Sequence, residues 1–310
     1  KQGRKAGLFT SPFVTTSIEK IQVGDLYIDP LEFAQIVEEM KPKIDEAFAK
    51  CPWGGPSYFE RFLAIALLYF QKQKCEWVVL EVGCGGRYDA TNVIPAPVMS
   101  AITNVDYDHM HILGKTLTKI AWDKSGIIKK GSVFFTTETR PRLREIMKQE
   151  CMKHGAEFNY VQGGNRELVE AMGFTAEEVK LPARFEIIQT KPLVIIDGAH
   201  NRAKMRHTAK SLKSLKFNKL HIVVALAANK DKNILDVIKA DYVYPTRFQN
   251  PERKAMNLGG YTDPHQALDA ALRQATSDDV VLITGSFYLA GELRTRWFSE
   301  EKILVHRSAF

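Results

Sequence analysis

Short apolar runs alternate with amphipathic stretches along the second half of the chain. Leu193–Ile196, His221–Leu226, Tyr242–Tyr244 and Val280–Ile283 are short apolar runs of strand length. Helical spacing of apolar residues follows at Lys204–Leu215, Asn233–Lys239, His265–Gln274 and Phe287–Trp297. Strands alternating with helices predict βαβ units and a parallel sheet. The first half is less regular. Helices are expected at Pro30–Phe48, Ser57–Phe70, Lys115–Ile120 and Pro141–His154, with a buried strand at Glu76–Leu80 and another at Val98–Asn104. Gln189-Thr-Lys-Pro192 separates a strand-like Arg184–Ile188 from the regular region, which places a domain boundary there and predicts domains at 1–189 and 190–310.

The stretch Glu81-Val-Gly-Cys-Gly-Gly-Arg-Tyr-Asp-Ala-Thr-Asn92 puts a carboxylate at the end of an apolar strand, followed at once by glycines. Open α/β sheets bind ligands at such strand ends, and glycine lets the backbone approach them closely. A plain strand-to-loop turn accounts for the same letters. His109 also follows a strand, where a neutral imidazole can ligate a metal or simply fill a structural place. Lys124, on a helix ended by Gly126, reads equally as a solvated side chain.

Composition narrows the class without naming it. A chain of 310 residues with 45% hydrophobic and 25% charged residues is globular and long enough for two domains. No apolar stretch reaches the ~18 residues of a membrane span, and Lys1-Gln-Gly-Arg-Lys lacks the apolar core of a signal peptide. The cysteines, Cys51, Cys75, Cys84 and Cys151, form no C-x-x-C pair, which argues for reduced thiols in the cytoplasm and against a zinc site or disulfide framework. The net charge of +7 is spread along the chain with no arginine run, so nucleic acid is not an expected partner.

Several segments then carry a resemblance. Gly7–Phe13, Pro56–Glu60, Glu81–Asn92, Asp108-His109 through Leu113-Gly-Lys-Thr116, Lys124–Lys129, Leu181–Glu186, Asp197–Asn201, Asn229-Lys-Asp231 and Thr284–Leu289 occur in the order found in the folylpolyglutamate synthase and dihydrofolate synthase family of the Mur ligase superfamily, which the chain resembles. The resemblance implies a P-loop-type ATPase domain with a mostly parallel sheet, followed by a smaller Rossmann-like α/β domain. It implies ATP and Mg2+, with L-glutamate and a folate or dihydropteroate as the other substrates of a monomeric enzyme. Glu81 and His109 match metal ligands, and Lys124 matches a catalytic lysine that is carbamylated beside the metal. Arg184, Asp197, His200 and Asn201 match nucleotide-side positions, with His200 also counted as catalytic. Ser11, Pro12, Phe13 and Asp89 match folate-side positions, and Ser286 matches a glutamate-binding one.

Each position has a plainer reading. Asp197-Gly198 makes a turn with Asn201 as a helix cap, Ser286 makes an N-cap, Arg184 pairs with Glu186 at the surface, and Tyr58 and Phe59 pack in the core. The family's Gly-Thr-Asn-Gly-Lys-Gly-Ser P-loop is expected upstream of Gly7 and does not occur in the sequence. Without that phosphate cradle the chain as it stands is not expected to bind ATP productively. A shortening is also expected between Tyr160 and Leu181, with junctions near Gly163–Asn165 and Lys180–Leu181. Segments omitted from a longer protein would explain both, and an intact mass near 35.1 kDa would exclude that explanation. Phe13, Arg202 and Asn229 stand where the family commonly has His, Pro and an acidic residue. The expected activity is acyl-phosphate-driven ligation of glutamate to folate. The alternatives are a cell-wall Mur ligase or a folate-binding homologue without nucleotide turnover.

Overall fold

The computed structural model describes residues 3–52, 54–177, 179–250 and 253–310. The chain divides into two compact units, one of Lys1–Ser11 with Lys20–Glu178 and one of Pro12–Glu19 with Val179–Phe310.

In the first unit, β1 (Ala6–Phe9), β2 (Ile21–Val23), β3 (Leu26–Tyr27) and, after helices α1 (Pro30–Lys50) and α2 (Tyr58–Lys72), β4 (Trp77–Leu80) form a sheet of order β3-β2-β1-β4. Asp29 starts α1 by accepting the Leu31 and Glu32 N–H groups, and Ser57 with Glu60 forms a capping box on α2. The α2 face of Phe62, Leu63, Ile65, Ala66, Tyr69 and Phe70 is buried. Among the described residues β4 pairs only with β1, in parallel. It is therefore an edge strand rather than the buried one expected from its apolar run, and Val78 and Val79 are 40% and 55% exposed.

The rest of this unit is built on a parallel sheet of β5 (Met99–Ile102), β6 (Val133–Thr136) and β7 (Glu157–Tyr160). Between β5 and β6 lie α3 (Met110–Leu113) and α4 (Leu117–Lys124), and α5 (Pro141–His154) precedes β7 while α6 (Asn165–Ala171) follows it. Ile102, Ile120, Phe134, Leu143 and Met147 share one apolar core. Thr116 caps α4 through the Lys119 N–H, which shifts this helix toward its C-terminus from the expected Lys115–Ile120 and makes Lys124 its last residue.

The second unit carries β8 (Glu186–Thr190), β9 (Leu193–Ile196), β10 (Leu220–Val224), β11 (Tyr242–Pro245) and β12 (Val280–Thr284) in the order β11-β10-β12-β9-β8. All neighbours are parallel except β8 with β9. Because side chains alternate across a strand, Ile195, Ile222 and Leu282 pack with Met205 and Leu212 of α7 (Arg202–Leu212) on one face. Val194, Ile196, Val223, Val281 and Ile283 pack on the other with α8 (Pro264–Gln274) and α9 (Phe287–Arg294). The expected helix at Asn233–Lys239 is a 3-10 segment, Lys232–Val237, and a short α10 (Glu300–His306) ends the chain. The division falls at 178/179 rather than 189/190, because β8 hydrogen-bonds along β9 and belongs to this sheet.

Candidate functional site

The glycine-rich turn after β4 is docked on the end of α4. The Arg87 N–H donates to the Asp123 carbonyl at 2.8 Å, and Asn92 Nδ2 donates to the carbonyls of Arg87 and Gly126. A Cβ on Gly85, which sits at φ +72°, would overlap the Asp123 carboxylate, and one on Gly86 would lie 2.7 Å from the Lys124 carbonyl oxygen. Glycine is required at both places by that approach. Asp89 fixes the turn from within: its carboxylate accepts the Cys84 N–H (2.9 Å), the Thr91 N–H (2.9 Å) and the Thr91 hydroxyl (2.6 Å).

Beside this turn, within the first unit, lies a cavity of about 610 Å³, within the size range of small-molecule sites. Phe59, Tyr88, Trp122, Ile112 and Leu113 give it apolar walls, and Glu60, Asp89, Lys119 and Asp123 bring charge. Phe59 packs edge-on against the buried Phe9 ring (centres 5.4 Å apart) and also lines the cavity, whereas Tyr58, 42% exposed, is not the core residue expected. Cys84 is also at the wall. Burial pushes its thiol up, the Lys124 charge pulls it back, and Asp89, Asp123 and Asp108 add to the rise.

Glu81 is exposed at the end of β4, and its Oε2 accepts the Ser11 N–H at 2.8 Å. Its other oxygen has no hydrogen bond to a described residue. Lys20 is buried nearby with its ammonium 5.2 and 5.3 Å from the ring centres of Tyr58 and Phe62, and burial lowers its pKa against the opposing pull of Glu81. His109 has φ 48°, precedes α3, and holds Nε2 4.0 Å from Asp108 Oδ1. Among the described residues no three His, Cys, Asp or Glu side chains are grouped for a metal. Glu81, with one carboxylate oxygen not hydrogen-bonded to a described residue, offers the kind of oxygen ligand that Mg2+ takes alongside several waters. Lys124, half-buried at the end of α4, contributes no oxygen unless it is modified.

The expected folate-side triplet is divided, with Ser11 in the first unit and Pro12 and Phe13 in the second. In the second unit, the Glu19 carboxylate accepts the N–H groups of Val14, Thr15 and Thr16 at 2.8–2.9 Å. The Val14 carbonyl then lies where Gly291 of α9 would carry its Cβ.

The strand ends of the second unit hold the remaining candidates. Asp197 accepts the Phe185 N–H on Oδ2, and the Ala199 N–H and Thr208 hydroxyl on Oδ1. His200 Nε2 is 3.3 Å from Lys204 Nζ and its Nδ1 is 3.1 Å from the Gly198 carbonyl. An ammonium only donates, so Nε2 accepts and Nδ1 carries the proton. Asn201 caps α7 through the Lys204 N–H, and Ser286, 2% exposed, caps α9 through the Tyr288 N–H. Both caps match the plainer reading of those residues. Arg184 is exposed, with its guanidinium 4.4 Å from the Phe287 ring centre. Its expected partner Glu186 is instead buried against Arg294.

Sequence reasoning missed Lys119, Trp122 and Asp123 as cavity residues. Ala121-Trp-Asp-Lys124 looks like an ordinary helix surface, and only the docking of the glycine turn turns it inward.

The family model for the Mur ligase glutamate ligase domain matches residues 183–287, inside the second unit. The dihydrofolate synthase/folylpolyglutamate synthase of Bacillus subtilis is 30% identical over 365 aligned residues, covering 95% of this chain and 84% of the relative. That span exceeds the 310 residues of the chain, so the relative carries internal segments without counterparts here. The fold is shared with the Mycobacterium tuberculosis folylpolyglutamate synthase crystallised with ADP and AMPPCP (TM-score 0.83, 23% identity, 96% of this chain and 86% of that one). It is shared too with a Yersinia pestis bifunctional folylpolyglutamate synthase/dihydrofolate synthase holding AMPPNP and Mn (TM-score 0.80, 22% identity, 95% and 82%). From this identity across nearly its whole length, together with the glutamate-ligase match in its second unit, the chain belongs to the dihydrofolate synthase/folylpolyglutamate synthase family.

Proposed function

We propose that the chain is an ATP-dependent ligase that joins L-glutamate to a carboxylate of a folate or dihydropteroate. Family membership supports the reaction class. The cavity with aromatic walls beside the Glu81–Asn92 turn carries the acceptor reading, because a planar, largely apolar head needs such walls and a few placed polar groups.

An acceptor carboxylate oxygen attacks the γ-phosphorus of ATP, ADP leaves, and an acyl phosphate forms. The glutamate amine then attacks the acyl carbon, the carbon–oxygen bond to phosphate breaks, and the amine loses a proton as the amide forms. Charge collects on the transferring oxygens, so the protein contributes mainly placement and opposite charge. Glu81, through its second oxygen, and His109 would hold Mg2+, which supplies positive charge to the phosphate oxygens when bound. Lys124 as a carbamate adds an anionic oxygen group near that position. Arg184 supplies a cation for the nucleotide phosphates, with Asp197, His200 and Asn201 supporting the strand-end loop. Ser286 and the start of α9 suit the glutamate carboxylate, since a helix N-terminus favours an anion. Ser11, Pro12, Phe13 and Asp89 remain the folate-side residues. Asp89 acts there by shaping the turn, as its hydrogen bonds are already made. A monomer in the cytoplasm completes the reading.

The test is incorporation of labelled L-glutamate by the full-length gene product, with dihydropteroate and tetrahydrofolate offered separately and Lys124→Ala as control. Acceptor-dependent incorporation that collapses in the control supports the assignment. No incorporation with either acceptor, alongside turnover of UDP-muramyl substrates, would move the chain to cell-wall chemistry.

A further inference from the structure

The loop that carries His109 is fixed to the core at one residue. Among the described residues 103–110 only Val105 is buried, and its side chain belongs to the apolar core with Ile102 and Phe134. Both of its backbone groups are held by one ion pair. Glu138 Oε2 accepts the Val105 N–H at 2.8 Å, and the Arg140 guanidinium donates through Nη2 to the Val105 carbonyl. The pair also closes on itself, since Glu138 Oε1 accepts the Arg140 N–H at 2.9 Å and Nε at 2.7 Å, while Oε2 accepts Nη2 at 2.7 Å. Beside it the Thr137 hydroxyl donates to the Thr103 carbonyl at 2.7 Å.

The anchor of this clamp is itself held. Glu138 is 1% exposed, its N–H donates to the buried Thr136 hydroxyl at the end of β6, and its carbonyl accepts Arg144 Nη1 of α5 at 3.1 Å. Burying a carboxylate is costly, and a packed apolar residue in its place is often neutral or stabilising. An apolar residue, however, cannot bind an N–H and, through a partner, a carbonyl. After Val105 local bonds carry the path onward: Asp106 and Asp108 accept the Tyr107 and His109 N–H groups at 2.7 and 2.9 Å, and the His109 carbonyl accepts those of Ile112 and Leu113 at the start of α3. We propose that Glu138, together with Arg140, is a positioning residue for the metal centre, holding the Val105 backbone so that the His109 imidazole stands where a divalent cation can take it. The inference rests on the reading of His109 as a ligand and goes one layer beyond it.

The experiment follows protein-bound Mn2+ by electron paramagnetic resonance, with AMPPNP present, in the full-length gene product and its Glu138→Gln, Arg140→Gln, His109→Ala and Leu143→Ala variants. Melting curves check folding, and Arg140, whose side chain is 40% exposed, gives the clamp variant that least disturbs the core. Glu138→Gln and Arg140→Gln weaken Mn2+ binding about ten- to a hundredfold, the range for residues that orient a metal ligand. Leu143→Ala cuts into the same apolar core but leaves the clamp in place, and it binds as the wild type does. In metal-free protein the Val105 amide exchanges faster in both clamp variants, and in steady state the Mn2+ requirement rises while the glutamate KM stays. Wild-type Mn2+ affinity in both folded clamp variants would overturn the inference. So would an equal loss in Leu143→Ala, since stability alone would then explain it. Wild-type affinity in His109→Ala overturns the ligand reading itself.

Discussion

Arg294 Nε lies 3.0 Å from both carboxylate oxygens of Glu186, and Nη2 lies 2.9 Å from Oε1, with the two side chains 0% and 5% exposed. Nη2 also donates to the Ala309 carbonyl at 2.6 Å, and the Phe298 and Phe310 rings flank the guanidinium. Glu186 Oε2 in turn accepts the Ala183 N–H, while Asp197 accepts that of Phe185. Ala183 and Phe185 both have left-handed backbone, at φ 53° and 48°, a conformation that costs about 1–3 kcal/mol per residue. Arg184 is thus held between two strained and anchored neighbours.

Removing one member of this pair leaves the other charge buried. Arg294→Met is expected to cost about 3–5 kcal/mol of stability, the range for breaking a buried ion pair. Pairing it with Glu186→Met should recover much of that loss. Urea unfolding of the single and double variants measures this, and a single-variant cost below about 1 kcal/mol would show that the pair is not the anchor.

Gly291 has a neighbour in place of a side chain. Gly291→Ala pushes against the Val14 carbonyl, and such overpacking costs about 1–3 kcal/mol. The Pro12–Glu19 segment must then move with Pro12 and Phe13. A raised acceptor KM with an ATP KM near that of the wild type is the expected kinetic signature, and equal KM values for both would contradict it.

Glu138 predicts an acid-sensitive increment of stability. Burial pushes its carboxyl up, but the Arg140 side chain and the Arg140 and Val105 N–H groups outweigh burial and leave the pKa below the usual glutamate value. A carboxyl whose pKa is depressed by folding contributes fully above its unfolded pKa, about 4.3, and loses that contribution as pH falls through the lower folded value. Melting temperature followed from pH 6 downward should therefore drop more steeply below about pH 4.3 in the wild type than in Glu138→Gln. Parallel curves would contradict the assignment.

Thiol labelling reports on the cavity. Cys51 is exposed, whereas burial pushes Cys84 up and Cys151, 1% exposed, to about 11. Because the thiolate is the reactive form, iodoacetamide near neutral pH should modify Cys51 first, Cys84 slowly and Cys151 only on unfolding. Saturating dihydropteroate should slow Cys84 further. Peptide mapping by mass spectrometry would reveal any other order.

The second unit was legible because its central strands β10 and β12 are buried throughout and its apolar runs alternate with amphipathic helices; α5 also begins and ends where its pattern placed it. β4 was misjudged because an apolar run does not reveal how many neighbours it has. β1 joins β4 in parallel across two intervening helices, a long-range pairing with no local signal. Glu81, His109 and Lys124 became candidates through strand-end position and family motifs, while Asp123 was hidden because its approach to Gly85 is a tertiary event. Asp197, Asn201 and Ser286 proved to be caps and staples of the strand-end loops, which sequence reasoning had already offered as their plainer role.

The central claim is ligation through an acyl phosphate, and oxygen transfer tests it most directly. Dihydropteroate labelled with oxygen-18 in its carboxylate would be turned over by the full-length gene product with ATP, Mg2+ and L-glutamate, and the released phosphate examined by mass spectrometry. The account predicts one labelled oxygen in each phosphate released with amide product. Product formed with unlabelled phosphate, or phosphate release indifferent to acceptor and glutamate, would contradict it.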